Sequence, residues 1–332
     1  MVDVLIVSLG STSGLRVADE ELRGSLERAG ASVELARAKA PAGVRTLMLT
    51  DLRWALAARR AAAAALRANP ARAVIYSSTT AALLWPAQGA VRFDAPAAGN
   101  RPGRHGLWQR PLERWRIGRA ALLLPWSAGG LAELHVRSGH ALVLPVPAEP
   151  SGSPPAERDI AAITYAANPQ KKGLDRVLAA WRQAQRPGEE LVIAGVDARD
   201  LTRAGSAPTD DGVRVMGLLA PAEYRALLRR ARVFITAPRR EDYGMAQLEA
   251  LADGCVLVTS PAPGPYAALL IARELDPRLV SEDLGVSLRA ALDGPAADYA
   301  ARALLALEPF RRETIDRVVA QELLPRLLAD AR

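Results

Sequence analysis

The chain of 332 residues has one cysteine, Cys255, three histidines and three lysines. A lone thiol excludes an intrachain disulfide framework, and no Cys/His grouping has the spacing of a zinc site. A reducing compartment, the cytoplasm, is therefore expected. No apolar run reaches the roughly 20 residues that a membrane span needs. The opening MVDVLIVSLG carries Asp3 and, after a short apolar run, stops at a Gly/Ser loop, so it reads as a first strand and not as a signal peptide. These features lead to the expectation of a soluble or peripheral protein.

Half of the residues are apolar and 24% are charged, an ordinary globular composition. The length suits two α/β units of roughly 150 residues each better than one core. A net charge of +7 favours anionic partners, but in a chain so rich in Ala and Arg the arginines are equally read as solvated. Nucleic acid is not expected as a partner.

Short β-branched or Leu-rich runs alternate with amphipathic or Ala-rich ones, the pattern of parallel sheets with helices on both faces. In residues 1–146, strands are expected at 4–9, 32–36, 73–77, 90–94, 121–125 and 141–145, and helices at 17–29, 51–68, 109–119 and 128–137. Residues 145–158, PVPAEPSGSPPAER, hold five prolines and no hydrophobic periodicity. They read as a stiff linker, centred on 147–158. A second domain over 159–295 would have strands at 160–166, 190–194, 213–216, 233–237, 256–260 and 278–280. The tail 296–332 reads as one or two helices without a following strand, free to cross back to the first domain. Two doubly wound sheets facing each other would bring the carboxyl ends of their strands to a common cleft.

Two stretches carry chemistry. In APRREDYGMAQLEALADGCVLVTS, residues 237–260, a strand ends near Ala237, a loop carries Glu241, and a helix from about Gly244 carries Glu249. Carboxylates beside free amides at a helix start suit a ligand with both hydroxyls and phosphates. Spacing alone leaves open a first-turn acid and a solvated helix residue. In ITYAANPQKKGLDRVLAAW, residues 163–181, two of the three lysines, Lys171 and Lys172, precede Gly173 between a strand and a helix. A cation beside a helix N-terminus favours an anion, although a solvated loop would read the same. Gly10 and Gly14, after the first strand, do not form the GxGxxG of a dinucleotide site.

The first stretch resembles the signature of the retaining GT-B glycosyltransferases (glycosyltransferase family 4-like, glycosyl transferases group 1). In that signature two glutamates, separated by seven residues, flank an aromatic-Gly pair and precede an Ala-rich helix, a Gly and an apolar strand. The elements here are Glu241, Tyr243, Gly244, Glu249, Gly254 and residues 256–260. The resemblance covers roughly residues 160–275. It implies two Rossmann-like domains facing a cleft and the metal-independent transfer of a hexose from a nucleotide-sugar, with retention, to a glycan, lipid or small-molecule acceptor. The donor is a substrate, so no cofactor is implied.

Carried over residue by residue, the resemblance sets Glu241 beside the donor hexose and the amides after Tyr243 and Gly244, including that of Met245, against sugar and diphosphate. Glu249 then holds the ribose, and Lys172, with Lys171 and Gly173, clamps the diphosphate. Gly217 would approach the base, and Ser13 and Gly14 would seat donor phosphate or acceptor. The family's usual Arg after the strand is replaced by Ala167 or Asn168, which leaves Lys171 or Arg176 to supply the second charge. Its usual His-Asp is Phe93-Asp94, with Asp94 as the contact to a hexose or acceptor hydroxyl and His105 in reach of a polar role. Charge on the departing diphosphate would be stabilised by Lys172 and helix-end amides, in place of a metal. An epimerase, a phosphorylase and a non-catalytic nucleotide-sugar binder stay open on the same fold.

Residues 101–119 hold six arginines, one acid (Glu113) and two tryptophans, Trp108 and Trp115. Seven residues apart on a helix, the tryptophans share a face, as in an element resting on an anionic bilayer. They are read equally well as facing the core. Members of the resembled family commonly use lipid-linked acceptors.

Overall fold

The computed structural model describes residues 1–41, 46–101, 103–134, 140–153, 155–203 and 212–329. The chain divides into two units, one of Met1–Pro147 with Pro309–Arg332, the other of Ala148–Glu308.

In the first unit, β1 (Val2–Ser8), β2 (Val33–Arg37), β3 (Ala71–Tyr76), β4 (Ala90–Phe93) and β5 (Leu123–Pro125) form a parallel sheet in the order β2-β1-β3-β4-β5. Side chains alternate across a strand, and both faces of β1 are apolar, so each must be covered. Leu5 and Val7 enter one core with Ala58, Ala62 and Ala65 of α2 (Leu47–Ala68). Val4 and Ile6 enter the other with Leu22 and Leu26 of α1 (Ser13–Arg28). That second face is completed by the C-terminal segment, through Ile315, Val319, Leu323 and Leu327. Four-residue spacing makes them one helical stripe. Arg28 with Asp316 (2.6 Å) and Arg312 with Glu21 (2.8 Å) tie the segment to α1.

In the second unit, β6 (Ile160–Tyr165), β7 (Leu191–Ala194), β8 (Val213–Gly217), β9 (Ala231–Thr236) and β10 (Val256–Thr259) are parallel in the order β10-β9-β6-β7-β8. All four residues of β7 are buried, the continuous apolar run of a strand covered on both faces. The direction of winding reverses between β6 and β9.

Several sequence expectations are corrected. Residues 141–145 make one bridge, Leu123 to Ala141, and no strand. Pro145 has no amide to donate to a ladder. Residues 278–280 give a 3₁₀ turn, Pro277–Leu279, because Pro277 opens it and the Asp276 carboxylate caps the Arg278 amide at 3.2 Å, with a single bridge at Val280. The helix expected at 128–137 spans Ala128–Ala132, and residues 135–139, with His135, lie outside the described residues. The proline-rich segment is tied to the second unit, since Ser151 is bonded to Asp253 through its amide (2.7 Å) and hydroxyl (2.9 Å), and Arg225 donates to the Glu149 carbonyl at 2.6 Å. The tail agrees with the reading of one or two helices: among the described residues it has two α-helical runs, Tyr299–Ala306 and residues 312–329, the second with a π-helical turn at Val319–Leu323.

Candidate functional site

Ligands of doubly wound sheets bind beyond the carboxyl ends of the strands where the strand order reverses. In the second unit this point lies between β6 and β9, whose following loops carry the two motifs. After β6 the chain makes one turn, Pro169–Lys172, with the Asn168 side chain accepting the Lys171 amide at 2.9 Å. Gly173, at φ 64°, then turns it into α5 (Leu174–Ala184). A Cβ at Gly173 would stand 1.9 Å from the Ala237 carbonyl oxygen, so the loop from β6 presses directly on the end of β9.

That approach joins the motifs. The Arg239 amide donates to the Lys171 carbonyl at 3.0 Å. Lys172 Nζ lies 2.6 Å from Glu241 Oε2, and Lys171 Nζ lies 3.3 Å from Asp242 Oδ2, which also faces Arg240. Gln247 donates to Glu241 at 3.2 Å. Both acids are buried, Glu241 at 6% and Asp242 at 7% exposure. Arg176 instead pairs with Glu282, so of the two candidates for a second charge Lys171 is the one that faces this loop. Gly264 was missed by sequence reasoning. At φ +112°, a Cβ there would lie 2.2 Å from the Glu241 carbonyl oxygen, and the Glu241 amide donates to Pro263 at 3.1 Å. The 260s loop therefore supports Glu241 from behind.

Gly244, at φ 96°, opens α7 (Met245–Ala252) with the Tyr266 ring packed where a side chain would stand. Tyr243 is buried, so what it can present to a ligand is backbone, and Met245 is half-buried. Glu249 follows on α7, 3.9 Å from Arg225 on α6 (Pro221–Arg230), which also pairs with Asp253 at 2.6 Å. Burial pushes the Glu249 carboxyl up, Arg225 opposes it, and Asp253 adds to the rise. Nothing in the sequence pattern marked Arg225, which donates to Asp253 and sets its charge near Glu249. Gly217 ends β8 at φ 72°, and its carbonyl accepts the Gly195 amide at 2.8 Å.

In the first unit Asp94, just past β4, is half-buried and accepts the Ala95 amide at 2.8 Å. Ser13 and Gly14 are the first residues of α1, capped by Thr12, and the left-handed glycine of this turn is Gly10. His105 is exposed. Beneath this end of the sheet lies a buried polar cluster that sequence reasoning missed. Arg92, 1% exposed, donates to the Ala18 carbonyl at 3.0 Å, stands 3.9 Å from Asp19 and stacks on Trp126 at 5.0 Å, while Ser8 donates to Asp19. Burial raises the Asp19 carboxyl, against the pull of Ser8 and Arg92. On α3 (Gln109–Ile117) the tryptophans part company, since Trp108, just before the helix, is half-buried and Trp115 is 45% exposed. A shared core-facing side is excluded. Among the described residues no helix is long and apolar enough to cross a membrane.

Residues 158–319 match the family model described as Glycosyl transferases group 1. The match covers just under half of a chain whose two doubly wound units have the GT-B fold. Glycogen synthase of Mycobacterium tuberculosis is 30% identical, aligned over 59% of this chain and 53% of its own, so the chain spans about half the length of the curated relatives it matches. Sucrose-phosphate synthase from Thermosynechococcus elongatus superposes with a TM-score of 0.69 at 15% identity, over 98% of this chain and 99% of its own. HepE of Anabaena, solved with UDP and glucose, gives 0.68 at 14%, over 97% and 99%. At such identities these structures speak for the fold.

Proposed function

We propose that the protein is a retaining, metal-independent hexosyltransferase working in the cytoplasm with a UDP- or GDP-linked donor. The observation that carries this reading is the convergence of Lys172 and Glu241, from the loops after β6 and β9, at the reversal point of the second sheet. Two lysines and the amides at the start of α7 suit a diphosphate, and Glu241 suits a hexose hydroxyl. Glu249 is the acceptor for ribose hydroxyls, with Arg225 beside it. Charge growing on the departing diphosphate is met by fixed cations and dipoles, the role a metal would otherwise fill. Asp94, in the first unit, is the group offered to the acceptor or hexose. The family match and the UDP and glucose bound by HepE support the donor class.

The test is a screen of UDP-, GDP- and ADP-sugars for acceptor-dependent release of nucleoside diphosphate. Tight donor binding without release would leave a binding protein, and interconversion of the donor alone would mark an epimerase. In the same assay series Glu249→Ala is expected to weaken nucleoside diphosphate binding by about 1 to 3 kcal/mol, because ribose hydroxyls lose a buried acceptor. Unchanged affinity would remove Glu249 from that role.

The exposed Trp115, with Arg116 and Arg119 each stacked 4.5 Å from its ring, and Leu107 at 62% exposure favour an acceptor met at an anionic membrane surface. Co-sedimentation with anionic but not neutral vesicles, lost at high salt, is the expected result. Absence of binding at low salt would point to a soluble acceptor.

A further inference from the structure

The first unit holds a pocket of about 340 Å³ between α3 and the segment that ends α4 (Ala128–Ala132), lined by Pro96, Arg110, Glu113, Arg114, Ile117 and Glu133, among others. None of these residues belongs to the donor site described above. The pocket lies beside the turn that follows β4. Pro96 is two residues beyond Asp94, and a Cβ at Gly130 of α4 would stand 2.7 Å from the Asp94 carbonyl oxygen. It therefore belongs to the carboxyl-end side of the sheet, where such folds take ligands.

Its polar groups are of two kinds, the carboxylates of Glu113 and Glu133 and the guanidinium groups of Arg110 and Arg114. Glu113 is 4% exposed, and Oε1 accepts the Ala97 amide at 2.8 Å. No hydrogen bond of proper geometry reaches Oε2 among the described residues. A buried carboxylate oxygen left in that state is costly; it is closed off as it stands, and a turn of the carboxyl toward the pocket it lines would let a ligand hydroxyl supply the partner. Burial pushes this carboxyl up to about 7, against the Thr79 hydroxyl and the Ala97 amide, so near neutrality it both accepts and donates. The guanidinium groups are the second kind. Arg110 gives Nε and Nη2 to the carbonyls of Gly106 (3.3 Å) and Gly103 (2.9 Å), which fixes its plane. Arg114, one residue from Glu113, is exposed and pairs with no carboxylate among the described residues. Arg114, with the charge of Arg110 one helical turn away, matches a phosphate, and Pro96 and Ile117 offer an apolar wall for the face of a ring. The volume is that of a small-molecule site.

We propose that this pocket is a binding site for a small polyol carrying one phosphate group. If the transferase reading holds, on which only this last step rests, that polyol is the acceptor. The same chemistry is presented by a free sugar phosphate and by a polyol-phosphate lipid headgroup.

The test is calorimetric titration of the full chain, without donor, with glucose 6-phosphate, glucose and inorganic phosphate, alongside flotation with vesicles of phosphatidylglycerol and, at equal surface charge, phosphatidylserine. Glucose 6-phosphate is expected to bind more tightly than glucose or phosphate if the source is soluble, and selective flotation with phosphatidylglycerol is expected if it is a lipid. Arg114→Ala should weaken the preferred probe by about tenfold and Arg114→Lys by less. Glu113→Gln should weaken the polyol phosphate but not inorganic phosphate. Nucleoside diphosphate affinity, measured in each variant, should stay at the wild-type value. Glucose bound as tightly as its phosphate, binding indifferent to Arg114→Ala, or no selective binding by either route would overturn the proposal. Pocket binding that persists where no donor binds would sink the transferase reading alone.

Discussion

Gly173→Ala is expected to destabilise the second unit by about 3 to 5 kcal/mol and to abolish measurable nucleotide binding. The left-handed backbone at φ 64° accounts for about 1 to 2 kcal/mol with an L side chain. The larger part is steric, because the new Cβ would fall 1.9 Å from the Ala237 carbonyl oxygen, a backbone atom at the end of β9 that cannot swing aside. To relieve it, the loop from β6 must lift away from the loop after β9, parting Lys172 from Glu241. Gly188 is the matched control. It has φ +86° with nothing within 4 Å of a Cβ, so Gly188→Ala should show only the backbone cost. Urea denaturation of the two variants decides the matter, and equal losses would show that the contact with Ala237 is not what selects glycine.

The second large effect is expected at Lys172. In the free protein its ammonium sits 2.6 Å from Glu241 Oε2, so both groups are paired before any ligand arrives. A diphosphate would compete for the lysine and free the carboxylate for a sugar hydroxyl. Charge on the leaving group is greatest in the transition state, so Lys172→Ala should lower kcat by about 10²- to 10³-fold, as loss of one preorganised charge-stabilising donor does, with a smaller change in donor KM. A rise in KM at unchanged kcat would make Lys172 a ground-state binder. The accompanying stability measurement matters, since the variant leaves the buried Glu241 with Gln247 as its neutral partner. Any loss of fold must be separated from loss of rate.

Much of the architecture was legible because it rests on local signals. Strands covered on both faces, such as Leu191–Ala194, read as unbroken apolar runs. The glycine and lysine signals of residues 168–173 and the Glu241 to Glu249 stretch announce a turn, a cation and a helix start by composition alone. Where a local signal was absent or misleading, reading failed. Pro-rich residues 145–158 read as a stiff linker, but nothing local marked what holds them, and Ser151 is fastened to Asp253 over a separation of 102 residues. Arg92 was lost among the arginines of an Arg-rich chain, although it is wholly buried and bonded to the Ala18 carbonyl.

The sequence by itself determined the class of fold, two doubly wound parallel sheets, and marked two loops by their lysines, glycines and glutamates. Hydrophobic period and turn composition act over a few residues and need no knowledge of neighbours. Only the tertiary structure decided which loops meet. Strand order places β6 beside β9 and so brings Lys172 to Glu241, 69 residues away. It sets Gly264 behind Glu241 and Arg225 beside Glu249, and folds residues from 309 onward against the first sheet. Side-chain contacts of that range depend on which strands are adjacent. Adjacency is settled by the packing of the whole unit, and no periodicity along the chain encodes it.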